Sequence, residues 1–243
     1  MNVEFKNPKI LIFPVLFTMV LLAMFISDTK GFAVLWREDG VIESLTALFY
    51  ACAMLGAIWG AIQLRGSVKA YYLALWIFLA FVFLGEETSW FQRVLNYQTP
   101  EDIAAINVQG EFNLHNLKWF EKGGGLLDGT IKNHGLAALY SSQNLYRLGF
   151  FTYFLFLPLF CHMKPDSALV RHLKFPYAGR NLLLFIWIPI LTSIVMMWPL
   201  RGDAIAKANL TETREMYYAF VIFIYVLVII LSSMASRKRS SKQ

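Results

Sequence analysis

Long apolar runs separated by short polar segments are the dominant pattern of this chain. Each run is close to the roughly 20 residues that a helix needs to cross about 30 Å of hydrocarbon. The runs do not alternate between apolar and polar positions, so membrane-crossing β-strands are not predicted. The pattern therefore predicts an all-α, polytopic membrane protein. Residues 1–243 would form a single integral membrane domain with six transmembrane helices, at about 9–26, 41–64, 70–90, 147–163, 181–200 and 216–236.

Composition agrees with this prediction. The chain is 57% hydrophobic and 16% charged, with a mean hydropathy of +0.50, so it has too little polar surface for a soluble globular protein. The net charge of +6 is unevenly distributed, because one side of the predicted bundle carries most of the basic residues that flank helix ends. These are Lys6, Lys9, Arg65, Lys69, Lys164, Arg171, Lys174, Arg180, Arg237, Lys238, Arg239 and Lys242.

The basic side predicts the orientation. Lys and Arg near helix ends favour the cytoplasmic face, so both termini are expected in the cytoplasm. The basic tail "RKRSSKQ" then fits anionic lipid headgroups, and nucleic acid is not an expected partner.

Residues 91–146, between the third and fourth predicted spans, would lie on the opposite, external face. This segment is too long and too aromatic for a simple connection. The stretch "TPEDIAAI" predicts a helix start, with Thr99 as N-cap and Pro100 at the first helical position. The rest is expected to form an ordered capping or re-entrant segment with a hinge at the glycines 123–125.

The candidate site starts from two adjacent carboxylates. Glu86 and Glu87 follow the apolar run "AYYLALWIFLAFVFL", about 25 to 27 Å along the helix from Lys69. Ionisable groups at that depth are costly, so they are expected to face inward. Arg147 and Glu43 are predicted at a similar level on other helices.

These residues suggest a division of roles. One glutamate would pair with Arg147 or Arg93, and the other would serve as a general base. The same arginines, with Glu43, would bind substrate, and an anionic headgroup would suit the arginines. The alternative is a purely structural ion-pair network that fixes the third span to the fourth.

A metal site is the second hypothesis. Glu111 and His115 are four residues apart, which on a helix places them on one face, and His134 is a further external histidine. Together they would hold a divalent metal such as zinc. The alternative is that they are surface polar residues.

The strings "GEETSWFQR" and "TPEDIAAINVQGEFNLHNL" resemble a pattern of uncharacterised polytopic inner-membrane proteins of bacteria. The resemblance covers residues 85–117, with a weaker similarity in "REDGVIESLTALFY". It implies a location in the bacterial inner membrane and no particular activity.

Three functions fit these features. The first is a membrane-embedded enzyme, a hydrolase or transferase, acting at the periplasmic leaflet on a lipid or lipid-linked substrate. The second is a non-catalytic subunit or assembly factor that docks a protein partner through residues 91–146. The third is an ion-coupled transporter, although the chain shows no internal repeat of the kind common in such proteins.

Overall fold

The computed structural model describes residues 2–5, 7–27, 35, 40–121 and 141–240. The protein is mostly helical, as predicted. Within these described ranges, four helical segments are long and apolar enough to cross a membrane: Val41–Gln63, Val68–Glu87, Ser142–Met163 and Ala204–Ser236. The first and fifth predicted spans correspond to shorter apolar helices, Lys9–Val20 and Arg180–Met196. The count of six spans therefore stays a prediction.

The long helices are joined by short helical elements and one small parallel pair of strands. In chain order the elements are β1 (Asn2–Val3), α1 (Ile12–Ser27), α2 (Val41–Gln63), α3 (Val68–Glu87), α4 (Gln92–Leu95), α5 (Glu101–Ile106), α6 (Lys118–Glu121), α7 (Ser142–Phe151), α8 (Leu157–Met163), α9 (Ala168–Leu173), β2 (Tyr177–Ala178), α10 (Arg180–Met196) and α11 (Ala204–Ser240). A π-helical turn, Thr152–Phe156, joins α7 to α8. Short 3₁₀ helices cover Pro8–Leu11, Ser89–Phe91 and Pro199–Gly202.

Two of the predicted spans begin more than a helical turn later than the helices do. The fourth helical segment begins at Ser142, five residues before the predicted start, and α11 begins at Ala204, twelve residues before it. In α11 this adds more than three turns, and they carry polar residues that hydropathy alone assigned to a loop. The predicted helix at "TPEDIAAI" is α5, which begins one residue later than expected because Pro100 is its N-cap.

The central packing of the bundle is that of α2 between α3 and α11. Small residues on α2 allow the close approach to α11, as is common where helices pack in membranes. A Cβ atom added at Gly60 would lie 2.6 Å from Ile230 Cγ1, whereas one added at Gly56 would lie 3.7 Å from Val226 Cγ1. Of these two glycines, Gly60 therefore has the tighter contact with α11.

At one end of the bundle the N-terminal segment is fixed to the start of α10. β1 pairs with β2, Asn2 opposite Tyr177 and Val3 opposite Ala178. The Glu4 carboxylate accepts hydrogen bonds from the backbone nitrogens of Asn181 (2.8 Å) and Leu182 (3.2 Å). A carboxylate at this position stabilises the unpaired N–H groups of the first helical turn.

The opposite end of the bundle holds the candidate site. There α2, α7 and α11 begin and α3 ends, so Glu43, Glu87 and Arg147 lie within two turns of a helix terminus. Residues 88–117, called the cap below, fold over this end.

Candidate functional site

A cavity of about 870 Å³ lies between the cap and the ends of α2, α3, α7 and α11. Its volume is within the roughly 300 to 1,000 Å³ of typical small-molecule sites. Its lining is polar at the cap and aromatic toward the middle of the bundle. The cavity is therefore amphiphilic along its depth.

Four carboxylates from three helices line the polar part. They are Glu43 of α2, Glu87 of α3, and Glu212 and Glu215 of α11, called the carboxylate cluster below. Glu87 lies close enough to Glu43, Glu212 and Glu215 for charges on them to interact, and Glu212 is similarly close to Glu43 and Glu215. Like charges gathered in a partly desolvated space repel one another strongly. Such a group favours the binding of a positive charge or a proton.

Glu86, next to Glu87, has a different role. Its Oε1 accepts a hydrogen bond from Trp90 Nε1 (2.8 Å). Its Oε2 accepts hydrogen bonds from the backbone nitrogens of Leu114 (2.8 Å) and His115 (2.9 Å), and His115 Nδ1 lies 3.3 Å away. Both oxygens of Glu86 are therefore bound by the cap, and Glu86 fixes the cap to the end of α3.

A second set of hydrogen bonds completes the cap. The Ser89 hydroxyl donates to the Glu111 carboxylate and accepts from Asn113 Nδ2 at 2.9 Å. Asn107 Nδ2 donates to Asn113 Oδ1 at 2.9 Å, and Gln92 Oε1 accepts from the backbone nitrogen of Phe112 at 2.9 Å. Asn107 and Asn113 are buried, and bonded buried amides of this kind hold a loop in one conformation.

The turn after α3 has an unusual backbone. Three consecutive residues, Ser89, Trp90 and Phe91, have positive φ values of 46°, 55° and 65°. For side chains other than glycine this costs about 1 kcal/mol or more per residue. The turn places Trp90 against Gly85, where an added Cβ atom would lie 2.9 Å from the indole ring. The adjacent residues "GEETSW" thus form one compact unit at the end of α3.

The basis of the predicted metal site is wrong in one respect. Glu111 and His115 lie in the irregular part of the cap between α5 and α6, so they do not share a helix face. Instead Glu111 bonds with Ser89 and Asn113, and His115 with Glu86. Among the residues that the structure describes, no group of three His, Cys, Asp or Glu side chains is arranged to hold a metal ion. His134 lies outside the described residues.

The aromatic floor of the cavity consists of Tyr50, Trp76, Tyr146, Tyr153, Phe154 and Tyr218. The hydroxyl oxygens of Tyr50 and Tyr146 lie 3.0 Å apart. Trp76 Nε1 donates to the Tyr153 hydroxyl at 3.1 Å, and that hydroxyl lies 3.1 Å from the hydroxyl of Tyr225. The Tyr225 hydroxyl donates to the carbonyl oxygen of Pro176. The hydroxyls of Tyr50, Tyr146 and Tyr153 and the indole nitrogen of Trp76 are thereby hydrogen-bonded, and the ring faces of the floor remain for apolar contacts.

Arg147 is buried and lines the same cavity, and its Nη2 lies 3.4 Å from Gln143 Oε1. The structure thus brings Glu43, Glu86, Glu87, Glu111, His115 and Arg147 to one cavity. The side chain of Arg93 lies outside the described residues.

Glu212 and Glu215 were not predicted, because hydropathy placed the sequence "NLTETRE" in a loop. In the structure this sequence is part of α11, and Asn209, Glu212 and Glu215 follow at intervals of three residues along the cavity. Residues three apart on a helix share a face. The three-residue spacing would therefore have predicted a shared helix face if the sixth predicted span had been extended into this polar sequence.

Comparison with known proteins finds no matching family model, no matching curated protein and no matching solved structure.

Proposed function

We propose that this protein is a membrane-embedded enzyme, a hydrolase or transferase, that acts on a lipid or lipid-linked substrate. The observation that supports this most is the amphiphilic cavity, in which a carboxylate cluster and an aromatic floor are joined in one space of about 870 Å³. A lipid has matching parts, since its apolar chain suits the floor and its polar headgroup suits the carboxylates.

The setting of this enzyme is the bacterial inner membrane, with six membrane-crossing helices, both termini cytoplasmic and the cap on the periplasmic face. The contacts of the N-terminal strand with the segment before α10 support this arrangement, because they place two of the basic segments at the end of the bundle opposite the cap. The cavity then lies at the level of the periplasmic leaflet.

Glu87 is the proposed general base. It lines the cavity, and among the described residues it has no hydrogen-bond donor, whereas Glu86 is bound by the cap. Glu87 would take a proton from a water or an acceptor hydroxyl, whose oxygen then bonds to the electrophilic carbon or phosphorus of the substrate. The leaving group departs with the bonding electron pair and receives the proton. Arg147 and Glu43 contact the headgroup in this proposal.

The purified protein in detergent, incubated with a total lipid extract of its own membrane, tests this function. Mass spectrometry is expected to detect consumption of one lipid class by the wild type and by Glu101→Gln, an exposed position on α5. Glu87→Gln is expected to remain folded and to lose this activity by at least about a hundredfold. Equal activity of Glu87→Gln and wild type contradicts the assignment of the base.

A second candidate is a non-catalytic subunit or assembly factor that binds a protein partner through the cap. The observation in its favour is a set of exposed apolar side chains on and beside the cap: Val94, Leu95, Ile106, Val108, Leu114 and Trp119. Exposed apolar patches are common at protein and membrane interfaces. Co-purification tests this candidate. A stoichiometric partner that is lost from the double variant Val94→Ser with Trp119→Ser, but still co-purifies with Glu87→Gln, would favour it over the enzyme.

A further inference from the structure

The charged side chains that line the cavity indicate which charge a bound substrate should have. Its lining includes six carboxylates, Glu43, Glu86, Glu87, Glu111, Glu212 and Glu215. Within the described part of the chain, the basic side chains of that lining are Arg147 and His115. An anionic headgroup, which Arg147 alone would suggest, would enter a predominantly negative space.

The six carboxylates are not equivalent. The cap supplies hydrogen bonds to both oxygens of Glu86, and Ser89 and Asn113 donate to Glu111. Glu87 and Glu212 have no such donor among the described residues, although they face the same cavity from different helices. A carboxylate without a donor is open to the N–H groups or the positive charge of a ligand, and Glu87, which is only partly exposed, gains most from such a partner. Glu87 and Glu212 are therefore the acceptors for a bound ligand.

The aromatic floor indicates the chemistry of the apolar part of the ligand. Below the carboxylates the lining is made of aromatic rings, with Phe150 and Tyr218 in contact at a centroid distance of 4.4 Å. The hydroxyls of Tyr50, Tyr146 and Tyr153 are already within hydrogen-bond distance of other side chains. This part of the cavity suits a hydrocarbon chain, and its ring faces near the carboxylates also attract a cation.

We infer that the cavity binds amphiphiles whose headgroup carries an ammonium group, with that group donating to Glu212 and to one oxygen of Glu87 and the hydrocarbon chain on the aromatic floor. The other oxygen of Glu87 faces the water or acceptor hydroxyl. This inference rests on the proposed function, because it names the substrate class of the same site. A primary ammonium has three N–H donors and a positive charge, so it satisfies two carboxylates at once.

Three probes of similar chain length test the inference on the full-length protein in a non-ionic maltoside detergent, which carries no ammonium group. They are dodecylammonium, the neutral N-dodecylacetamide and the anionic dodecanoate. Binding is measured by thermal shift and by the change in the protein's tryptophan fluorescence, to which Trp76 of the floor contributes. Wild type is expected to bind dodecylammonium about tenfold or more tightly than N-dodecylacetamide, and dodecanoate more weakly still.

Substitution of the two glutamates tests whether they cause the preference for the ammonium probe. Glu87→Gln with Glu212→Gln is expected to reduce the preference for the ammonium probe about tenfold, while the exposed control Glu101→Gln retains it. If that double variant does not fold, the ratio of the three probes on wild type decides the question alone. Equal affinity for the ammonium and acetamide probes, or tighter binding of dodecanoate, overturns the ammonium inference and leaves the proposed lipid enzyme intact. Binding of none of the three overturns both.

Discussion

The carboxylate of Glu86 lies 2.9 Å from the backbone nitrogen of His115 and 3.3 Å from its Nδ1. These two residues are 29 positions apart in the chain, so their contact closes the cap over the end of α3. The neighbouring Glu87 takes no part in that contact and lines the cavity instead. The adjacent carboxylates, about 100° apart around a helix, thus have different surroundings: Glu86 is held by the cap, and Glu87 faces the cavity without a bond to the cap.

This division predicts opposite effects of two adjacent substitutions on stability. Glu86→Gln replaces an oxygen acceptor by an amide that faces N–H donors, so we expect a loss of about 1 to 3 kcal/mol. Glu87→Gln removes a charge from the repelling carboxylate cluster, so its stability should be equal to or above that of wild type. Thermal unfolding in one detergent measures both. Greater destabilisation by Glu87→Gln would contradict the assignment.

The contact of Gly85 with Trp90 gives a second prediction. Gly85→Ala would place a Cβ atom 2.9 Å from the indole, so either the ring or the left-handed turn must shift. We expect a cost of about 1 to 3 kcal/mol and faster proteolysis within the cap. Gly149→Ala is the matched control, because a Cβ atom there meets nothing within 4 Å. Equal protease resistance of the two variants would show that Trp90 does not pack on Gly85.

A third prediction concerns the packing of α2 on α11. Gly60→Ala is expected to separate the two helices, because its Cβ atom would lie 2.6 Å from Ile230 Cγ1. Gly56→Ala, one turn earlier on the same helix, meets Val226 at an ordinary 3.7 Å and should be tolerated. The melting temperature of Gly60→Ala should therefore be clearly lower, reflecting about 1 to 3 kcal/mol of overpacking. A reversed order of the two melting temperatures would contradict the packing described here.

The hydrogen-bonded chain beneath the cavity gives a fourth prediction. Tyr153→Phe removes the acceptor of Trp76 Nε1 and leaves that buried N–H group unpaired, at a cost of about 1 to 3 kcal/mol. Tyr71→Phe, at a side chain that is 77% exposed, should have no measurable effect. Unfolding followed by tryptophan fluorescence compares the two variants. Identical stability would mean that the Trp76 indole has another acceptor.

Hydropathy predicted the long apolar helices and the position of Glu86 and Glu87 at the end of one of them, because both depend on local composition. It did not distinguish their roles, since the role of Glu86 depends on backbone N–H groups 28 and 29 residues away. The left-handed turn at 89–91 had no sequence signal, as none of its residues is glycine. Glu212 was missed because a polar stretch can continue a helix when that stretch faces a cavity.

The most direct test of the account is to map where a lipid-like ligand binds. A long-chain amphiphile with a photoreactive group on its hydrocarbon chain, incubated with the full-length protein, should label peptides that contain Trp76 and Tyr153 of the floor. An excess of unlabelled amphiphile should abolish that labelling. Labelling confined to peptides with outward-facing residues such as Leu55 and Leu231, and unaffected by the competitor, would contradict a binding cavity beneath the carboxylate cluster.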